Sequence, residues 1–155
     1  MNIVKNIFKR EKSIFINASP EKVFRYLANI LGHSEWAANT LDITHIKGPK
    51  SGEGAIFKTV IHRPAGITGS FKGQIRILIE EYPNRFVYEA SDTTGVYRWS
   101  FLFATEREGC YLTQQMEKIS GPWILRWLQP TILWPLIGSR QVQTGLENIK
   151  LNLEK

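Results

Sequence analysis

The pattern of hydrophobic and polar positions first predicts a short strand followed by a helix. Ser13–Ile16 has the composition of a strand, and Ser19 and Pro20 come soon after it. A serine oxygen accepts from a free amide at the start of a helix, and proline needs no amide donor in the first turn. Val23 and Leu27 then fall on one face of the helix. A second short helical segment is predicted directly after the first.

A period of two then predicts a series of antiparallel strands. Along Gly69–Tyr82 an apolar face alternates with a charged face, and Gly73 leaves room on the apolar one. Turn-forming residues separate the strands, and short connections favour antiparallel neighbours. The predicted strands are about Leu41–Lys47, Ala55–His62 (ended by Arg63-Pro64-Ala65-Gly66), Gly69–Tyr82, Arg85–Ser91, Tyr97–Phe103 and Cys110–Lys118.

The last segment has the spacing of a helix but carries Pro130 and Pro135. Each proline removes an amide donor and crowds the carbonyl four residues earlier. We therefore expect either a bent helix, or a short helix before Pro130 and a longer one from about Pro135. One apolar stripe contains Ile124, Leu128, Val142, Leu146, Ile149 and Leu153, and a second stripe contains Trp123, Trp127, Trp134 and Ile137.

The order of these elements predicts an α+β helix-grip fold. A curved antiparallel sheet of six to seven strands wraps around a long C-terminal helix, and two short helices follow the first strand. A sheet that curves around one helix leaves a cavity between the two. The half of the helix with two apolar stripes must contact two surfaces, of which the sheet is one.

Several segments resemble the START-like helix-grip superfamily (SRPBCC), and within it the polyketide cyclase/dehydrase and lipid-transport group. The resembling segments are Ile16–Phe24, Glu35-Trp36, Glu81–Phe86 and Leu146…Ile149…Leu153-Glu154. The resemblance runs from about residue 12 to the end and implies a single domain over residues 1–155. Residues 1–11 are expected to be a flexible N-terminal extension that either continues the first strand or forms a frayed helix.

The resemblance implies that an apolar molecule binds in the cavity, with Trp36 near its entrance. Side chains on the apolar faces are the candidates for the wall, and filling the core is the alternative for each of them. Gln114 is polar on an apolar face, so its amide needs a partner, which is either a neighbouring strand, a tyrosine hydroxyl or a ligand. The candidate ligand-binding residues are Trp36, Phe57, Phe71, Ile75, Tyr88, Trp99, Phe101, Gln114, Met116 and Leu128, with Ile77 also facing inward.

Catalytic and metal-binding motifs do not emerge from the sequence. Tyr88, Tyr97, His45 and Glu117 are titratable, but no two of them have the spacing of a catalytic pair. The sequence has no phosphate loop, dinucleotide fingerprint or nucleophile elbow. His33, His45 and His62 lack metal-ligand spacing, and Cys110 is expected to be an inert thiol. We predict no catalytic residue, no metal and no cofactor, while a cyclase or dehydratase acting on an apolar substrate remains the enzymatic alternative.

Charge and composition bear on partners and location. The chain of 155 residues has a net charge of +6, which suits an anionic membrane surface or an acidic partner. No Lys/Arg run or nucleic-acid motif is present, so no nucleic acid is expected. The Trp123/Trp127/Trp134 face predicts a membrane contact, a protein contact or a homodimer as a third functional alternative. A single cysteine and the lack of a signal peptide favour the cytoplasm.

Overall fold

The structure, a computed structural model, describes residues 8–62 and 70–155, apart from the side chain of Thr40. Its centre is a seven-stranded antiparallel sheet with the strand order β1-β7-β6-β5-β4-β3-β2. The predicted helix-grip fold is confirmed. The strands are β1 (Phe8–Ile16), β2 (Thr40–Lys47), β3 (Ile56–His62), β4 (Ser70–Glu81), β5 (Arg85–Asp92), β6 (Gly95–Glu106) and β7 (Gly109–Ser120).

The first strand is longer than its apolar pattern predicts. It begins at Phe8, which lies opposite Lys118 of β7, and continues to Ile16 opposite Cys110. Its early residues are mostly charged because β1 is an edge strand, so pairing with β7 rather than burial holds them in place. The remainder of the predicted N-terminal extension, residues 1–7, and the predicted strand end at Arg63-Pro64-Ala65-Gly66 lie outside the described residues.

Two short helices follow β1, as predicted. Helix α1 covers Pro20–Ala28, and the Ser19 hydroxyl accepts a 3.2 Å hydrogen bond from the Lys22 amide at its start. The buried face of α1 packs on β5, β6 and β7. A 3₁₀ helix, Ile30–Glu35, continues the chain and ends at Trp36, which the structure buries.

The C-terminal helix runs through both prolines, so the alternative of two separate helices was wrong. It comprises a short α2 (Leu125–Leu128), a π-helical segment (Gln129–Gly138) and α3 (Ser139–Leu153). In the π-helical segment the hydrogen bonds span five residues, as between the Ser139 amide and the Trp134 carbonyl. These wider turns accommodate the missing proline amides. The Thr131 hydroxyl also donates to the Trp127 carbonyl.

The fully buried residues of the C-terminal helix all lie in α3. Val142, Leu146, Ile149 and Leu153 are buried, whereas no residue of α2 or of the π-helical segment is. Helix α3 contacts β1, and its Asn148 side chain donates a 3.0 Å hydrogen bond to the Trp36 carbonyl. The C-terminal helix therefore packs closely on the sheet along α3 and loosely along its earlier part.

Candidate functional site

A cavity of about 450 Å³ lies between the sheet and the loosely packed part of the helix. Its walls come from the concave side of the sheet, to which all seven strands contribute, and from the 3₁₀ helix and the residues after it, the π-helical segment and the start of α3. Volumes of roughly 300–1,000 Å³ are typical of sites for small molecules. Six candidate ligand-binding residues border the cavity: Trp36, Ile75, Tyr88, Trp99, Gln114 and Met116.

The other four candidates do not border it. Phe57 and Phe101 are buried in the core, where Phe101 packs against the rings of Trp36 and Tyr88. Phe71 is half-buried on β4 opposite Ile61. Leu128 is 37 % exposed, on the outer side of the helix. An alternating pattern identifies the inward face of a strand, but it does not distinguish a cavity wall from filled core.

The wall contributed by the C-terminal helix differs from the prediction. Leu133, Trp134, Gln129 and Ile137 border the cavity, together with Val142 of α3. Trp134 was predicted to share an outward face with Trp123 and Trp127, and that prediction was wrong, because Trp134 packs against the core instead. The π-helical turns change the angular step per residue, so α-helical spacing no longer identifies which side chains share a face.

One end of the cavity carries a polar network around the β5–β6 turn. The amide and hydroxyl of Thr94 donate to Asp92 Oδ1, and the Tyr97 hydroxyl donates to Thr94 Oγ1 over 2.8 Å. The Tyr97 oxygen in turn accepts from Lys118 Nζ at 3.2 Å and from the Gln129 amide. Two hydroxyl groups therefore connect a cation to a carboxylate.

Lys118 is fully buried in this network. Its ammonium group donates to the Thr94 carbonyl at 2.8 Å, to Tyr97 and to Gln129 Oε1, which accounts for its three protons. No carboxylate of the described residues forms an ion pair with it. Sequence reasoning missed Lys118, and the signal was available: it shares its strand face with Leu112, Gln114 and Met116.

The other end of the cavity contains buried polar atoms without partners. Trp36 and Gln114 are 6 % and 5 % exposed, and neither Trp36 Nε1 nor Gln114 Oε1 has a hydrogen-bond partner among the described residues. Both side chains lie next to Phe101, since Trp36 packs on its ring and Gln114 is opposite it in the β6–β7 register. Tyr88 stacks on the same ring, with the two centroids 6.1 Å apart.

His33 lies beside these groups and is held neutral. Its Nε2 donates to the Leu27 carbonyl over 2.6 Å, and its ring centroid is 4.8 Å from that of Trp36. Burial lowers the pKa of His33 to about 4, and burial also raises the pKa of the Tyr88 hydroxyl. Both shifts have the same cause, since a dry environment disfavours the charged form of any group.

Within the described residues, neither a reactive cysteine nor a metal-ligand cluster forms a second functional site. Burial raises the pKa of the Cys110 thiol to about 11, which leaves it protonated and weakly nucleophilic. Among residues 8–62 and 70–155, no cluster of three histidine, cysteine or carboxylate side chains has the arrangement of a metal site. A helix long and apolar enough to cross a membrane is also missing from that part of the chain.

The outer side of the same helix is apolar and exposed. Trp123 is 78 % exposed and Trp127 is 72 % exposed, and Ile124, Ile132 and Leu136 are exposed beside them. Single exposed apolar residues are ordinary, whereas several large ones within one short stretch of the chain are typical of a contact surface. We call the side chains of Trp123, Ile124, Trp127, Leu128, Ile132 and Leu136 the outer apolar face.

Comparisons with known proteins place this geometry in a family. A family model described as polyketide cyclase/dehydrase and lipid transport matches residues 8–154. No curated protein matches the chain. A protein from Chromobacterium violaceum has a similar structure, with a TM-score of 0.74 and 16% identity over 96% of this chain and 99% of that one.

Two further solved structures share the fold. The di-domain aromatase/cyclase StfQ of the steffimycin biosynthetic pathway matches with a TM-score of 0.71 and 14% identity, over 94% of this chain and 50% of that one. A dimer from Colwellia psychrerythraea, determined in solution, matches with a TM-score of 0.66 and 17% identity, over 95% of this chain and 96% of that one. At these identities the likeness shows the fold alone.

The buried neutral His33 predicts a pH dependence of stability. In the unfolded chain the imidazole takes up a proton near pH 6.5, whereas its pKa in the folded state is about 4. The unfolded state therefore binds more protons below pH 6.5, so the free energy of unfolding falls as the pH falls. Between about pH 7 and pH 5 we expect the loss to be about 2 kcal/mol, measured by urea denaturation.

The variant His33→Gln keeps a side-chain donor toward Leu27 but cannot titrate. It should lose less stability than the wild type over the same pH interval. His45→Gln, on β2, is the matched control and should keep the wild-type slope. An unchanged slope in His33→Gln would contradict the account of His33.

The buried Lys118 predicts a second stability effect. Lys118→Met keeps the length of the side chain but leaves Gln129 Oε1 and the Thr94 carbonyl without the donor they have now. The Tyr97 oxygen loses one of its two donors and keeps the Gln129 amide. Each lost hydrogen bond at a buried acceptor costs about 1–3 kcal/mol before relaxation, so we expect a loss of about 2 kcal/mol or more in the free energy of unfolding. Lys58→Met, at an exposed position of β3, should have almost no effect. Equal stability of the two variants would contradict the assigned role of Lys118.

Proposed function

Because this chain belongs to the polyketide cyclase/dehydrase and lipid transport family, we propose that it binds a small apolar molecule in the cavity between its sheet and its C-terminal helix. One observation carries the proposal. The cavity of about 450 Å³ has walls made mainly of apolar and aromatic side chains and lies beside a buried hydrophobic core. Closely packed interiors leave few voids larger than a water molecule. A cavity of this size therefore favours a binding site.

The six candidate residues that border the cavity are proposed as the contacts of this ligand. Trp36, Tyr88 and Trp99 offer ring faces, and Ile75 and Met116 offer flexible apolar contact. Gln114 is the polar member of the set. Burial of the ligand against these side chains supplies the affinity, since each buried square ångström of apolar surface contributes about 25 cal/mol.

Binding without chemical change fits the wall better than a cyclase or dehydratase reaction does. Such a reaction needs an acid or base that exchanges protons near neutral pH. In the wall, His33 is a weak base and Tyr88 is a weak acid, because burial moves the pKa of each away from neutrality. The wall's other titratable side chains, Asp92 and Tyr97, are hydrogen-bonded in the network at the β5–β6 turn. We therefore propose a carrier or sensor of an apolar molecule, and we propose the cytoplasm as its location on the basis of the lone buried Cys110.

Filling the cavity tests the proposal. Ala90 of β5 borders the cavity, and Ala90→Phe places a ring in it. An uncharged fluorescent hydrocarbon such as methylpyrene should bind the wild type, and it should bind Ala90→Phe at least about tenfold more weakly, as measured by fluorescence titration. Tenfold corresponds to about 1.4 kcal/mol, which is less than a well-buried ring contributes.

The matched control is Ala104→Phe, because Ala104 lies on β6 at an exposed position. This variant adds the same ring outside the cavity and should bind like the wild type. Equal binding by the wild type and Ala90→Phe would show that the hydrocarbon binds elsewhere. Failure of the wild type to bind any hydrocarbon of this size would contradict the proposal itself.

A membrane contact is the second candidate function, and the outer apolar face favours it. The same helix borders the cavity through Leu133 and Trp134 and presents Trp123 and Trp127 to the outside. Arg126 is exposed beside the two tryptophans, and aromatic rings with nearby basic residues are typical of interfacial contacts with anionic lipid. We propose that this face lies on an anionic membrane surface while the ligand enters or leaves.

Vesicle co-sedimentation tests this contact. The double variant Trp123→Ala/Trp127→Ala should bind vesicles of mixed phosphatidylcholine and phosphatidylserine at least about tenfold more weakly, since it removes two rings that each bury roughly 150–250 Å². Leu151→Ala removes an exposed apolar side chain of α3 and should bind like the wild type. Absence of wild-type binding at low salt would contradict the membrane contact. A concentration-dependent dimer lost in the double variant would assign the face to a second copy.

A further inference from the structure

Two side chains that border the apolar cavity, Trp36 and Gln114, carry buried polar atoms that the described part of the fold leaves without partners. Trp36 Nε1 is a buried donor and Gln114 Oε1 is a buried acceptor, and neither has a partner among the described residues. A buried polar atom without a hydrogen bond costs about 1–3 kcal/mol. Two such atoms of opposite character in the wall of one cavity therefore need a common explanation.

The two side chains belong to one cluster around Phe101. Trp36 packs edge-on against the Phe101 ring at 6.2 Å, and Gln114 is the register partner of Phe101 on β7. Tyr88 stacks on the same ring, and within the described part of the chain no hydrogen bond involves its hydroxyl. Trp36, Tyr88 and Gln114 are each more than nine-tenths buried, and all three border the cavity.

The Gln114 amide can adapt to what it meets. Its terminal torsion is broad, so the oxygen and the NH₂ group exchange places at little cost. The side chain can therefore accept a hydrogen bond from a ligand or donate one to it. The indole of Trp36 only donates, and a tyrosine hydroxyl does both.

Charge excludes one kind of ligand. The protein has a net charge of +6, yet no lysine or arginine is among the described residues that border the cavity. The one carboxylate there, Asp92, lies in the Thr94–Tyr97 network at the other end. The buried Lys118 belongs to that same network, and its three protons are already donated there. Burial keeps the neighbouring His33 neutral, with a pKa of about 4. An anionic group near Gln114 would be desolvated without a cation to balance it.

From these contacts we infer that the ligand carries an uncharged hydroxyl group, which is held between Gln114, Trp36 and Tyr88 while the apolar remainder fills the cavity. This inference rests on the proposed function, because it assigns chemistry to the same ligand. The hydroxyl oxygen of the ligand accepts a hydrogen bond from the Trp36 indole or the Gln114 amide. The hydroxyl group donates a hydrogen bond to the Gln114 or Tyr88 oxygen. A carboxylate lacks the proton, and a hydrocarbon lacks both functions.

Three pyrenes with different substituents on the same ring carbon test the inference. Hydroxypyrene should bind the wild type roughly three- to tenfold more tightly than methylpyrene at neutral pH, which is the gain expected for one or two hydrogen bonds that only the ligand can supply. Pyrenecarboxylate should bind at least about tenfold more weakly than hydroxypyrene. All three affinities are measured by fluorescence titration.

Variants assign the preference to its residues. In Gln114→Leu the ratio of hydroxypyrene to methylpyrene affinity should fall to about one, because the variant lacks the amide that only hydroxypyrene uses. Tyr88→Phe and Trp36→Phe should lower the ratio in part. Gln115→Leu changes the next residue of β7, which faces away from the cavity and contacts Glu11, and should keep the wild-type ratio.

The outcomes separate this inference from the proposed function. Methylpyrene binding tests the cavity, and the ratio tests the hydroxyl site. Equal binding of hydroxypyrene and methylpyrene by the wild type would overturn the inference and leave the cavity proposal standing. A preference that survives in Gln114→Leu would also overturn it. The failure of all three probes would overturn both.

A structural role for Gln114 is distinguished by stability. If its amide only served the binding of a ligand, Gln114→Leu would remove an unsatisfied group from the unliganded protein, and its melting temperature should be equal to or above that of the wild type. A clear fall in the melting temperature would show that Gln114 is satisfied within the fold, for example by an ordered water, and would contradict the inference.

Discussion

The packing of α3 on the sheet is the constraint on which the rest of this structure depends. Val142, Leu146, Ile149 and Leu153 bury one apolar stripe, and Asn148 fixes the helix to the Trp36 carbonyl. The indole of Trp36 lies against the helix at Gly145. The helix is thereby fixed at its C-terminal end, and its earlier part crosses the concave sheet without burying any residue. The cavity is the space between that part and the sheet.

The fold was predictable because its signals are local and redundant. The cap at Ser19, the alternation along β4 and the apolar spacing of α3 each identify an element without reference to the others. The cavity wall was only half predictable. Phe57 and Phe101 have the same phase and chemistry as Ile75 and Trp99, and only the three-dimensional path of the helix decides which of them meets open space. The π-helical segment was not predictable from α-helical spacing. Because of its different angular step, Trp134 faces the cavity and Leu128 is exposed.

Polar groups give the two ends of the cavity different characters. At the β5–β6 turn the polar groups are hydrogen-bonded to one another, namely those of Lys118, Tyr97, Thr94 and Asp92. This end of the cavity therefore contributes to the stability of the fold. Near Phe101, the polar atoms of Trp36 and Gln114 are buried but unsatisfied. A completed network stabilises the fold, whereas buried polar atoms without partners call for a further explanation. The sequence does not distinguish a hydrogen-bonded polar side chain from an unsatisfied one, because a lysine or glutamine on an apolar strand face has the same pattern in both situations.

The measurement that tests the central claim most directly is native mass spectrometry of the protein, as purified and after exposure to a neutral lipid extract. The account predicts a defined adduct on the wild type that is released into organic solvent and is uncharged, and it predicts loss of that adduct in Ala90→Phe. If the wild type remained at the mass of the bare chain under both conditions, or held its adduct equally in Ala90→Phe, the cavity would not be the site of ligand binding.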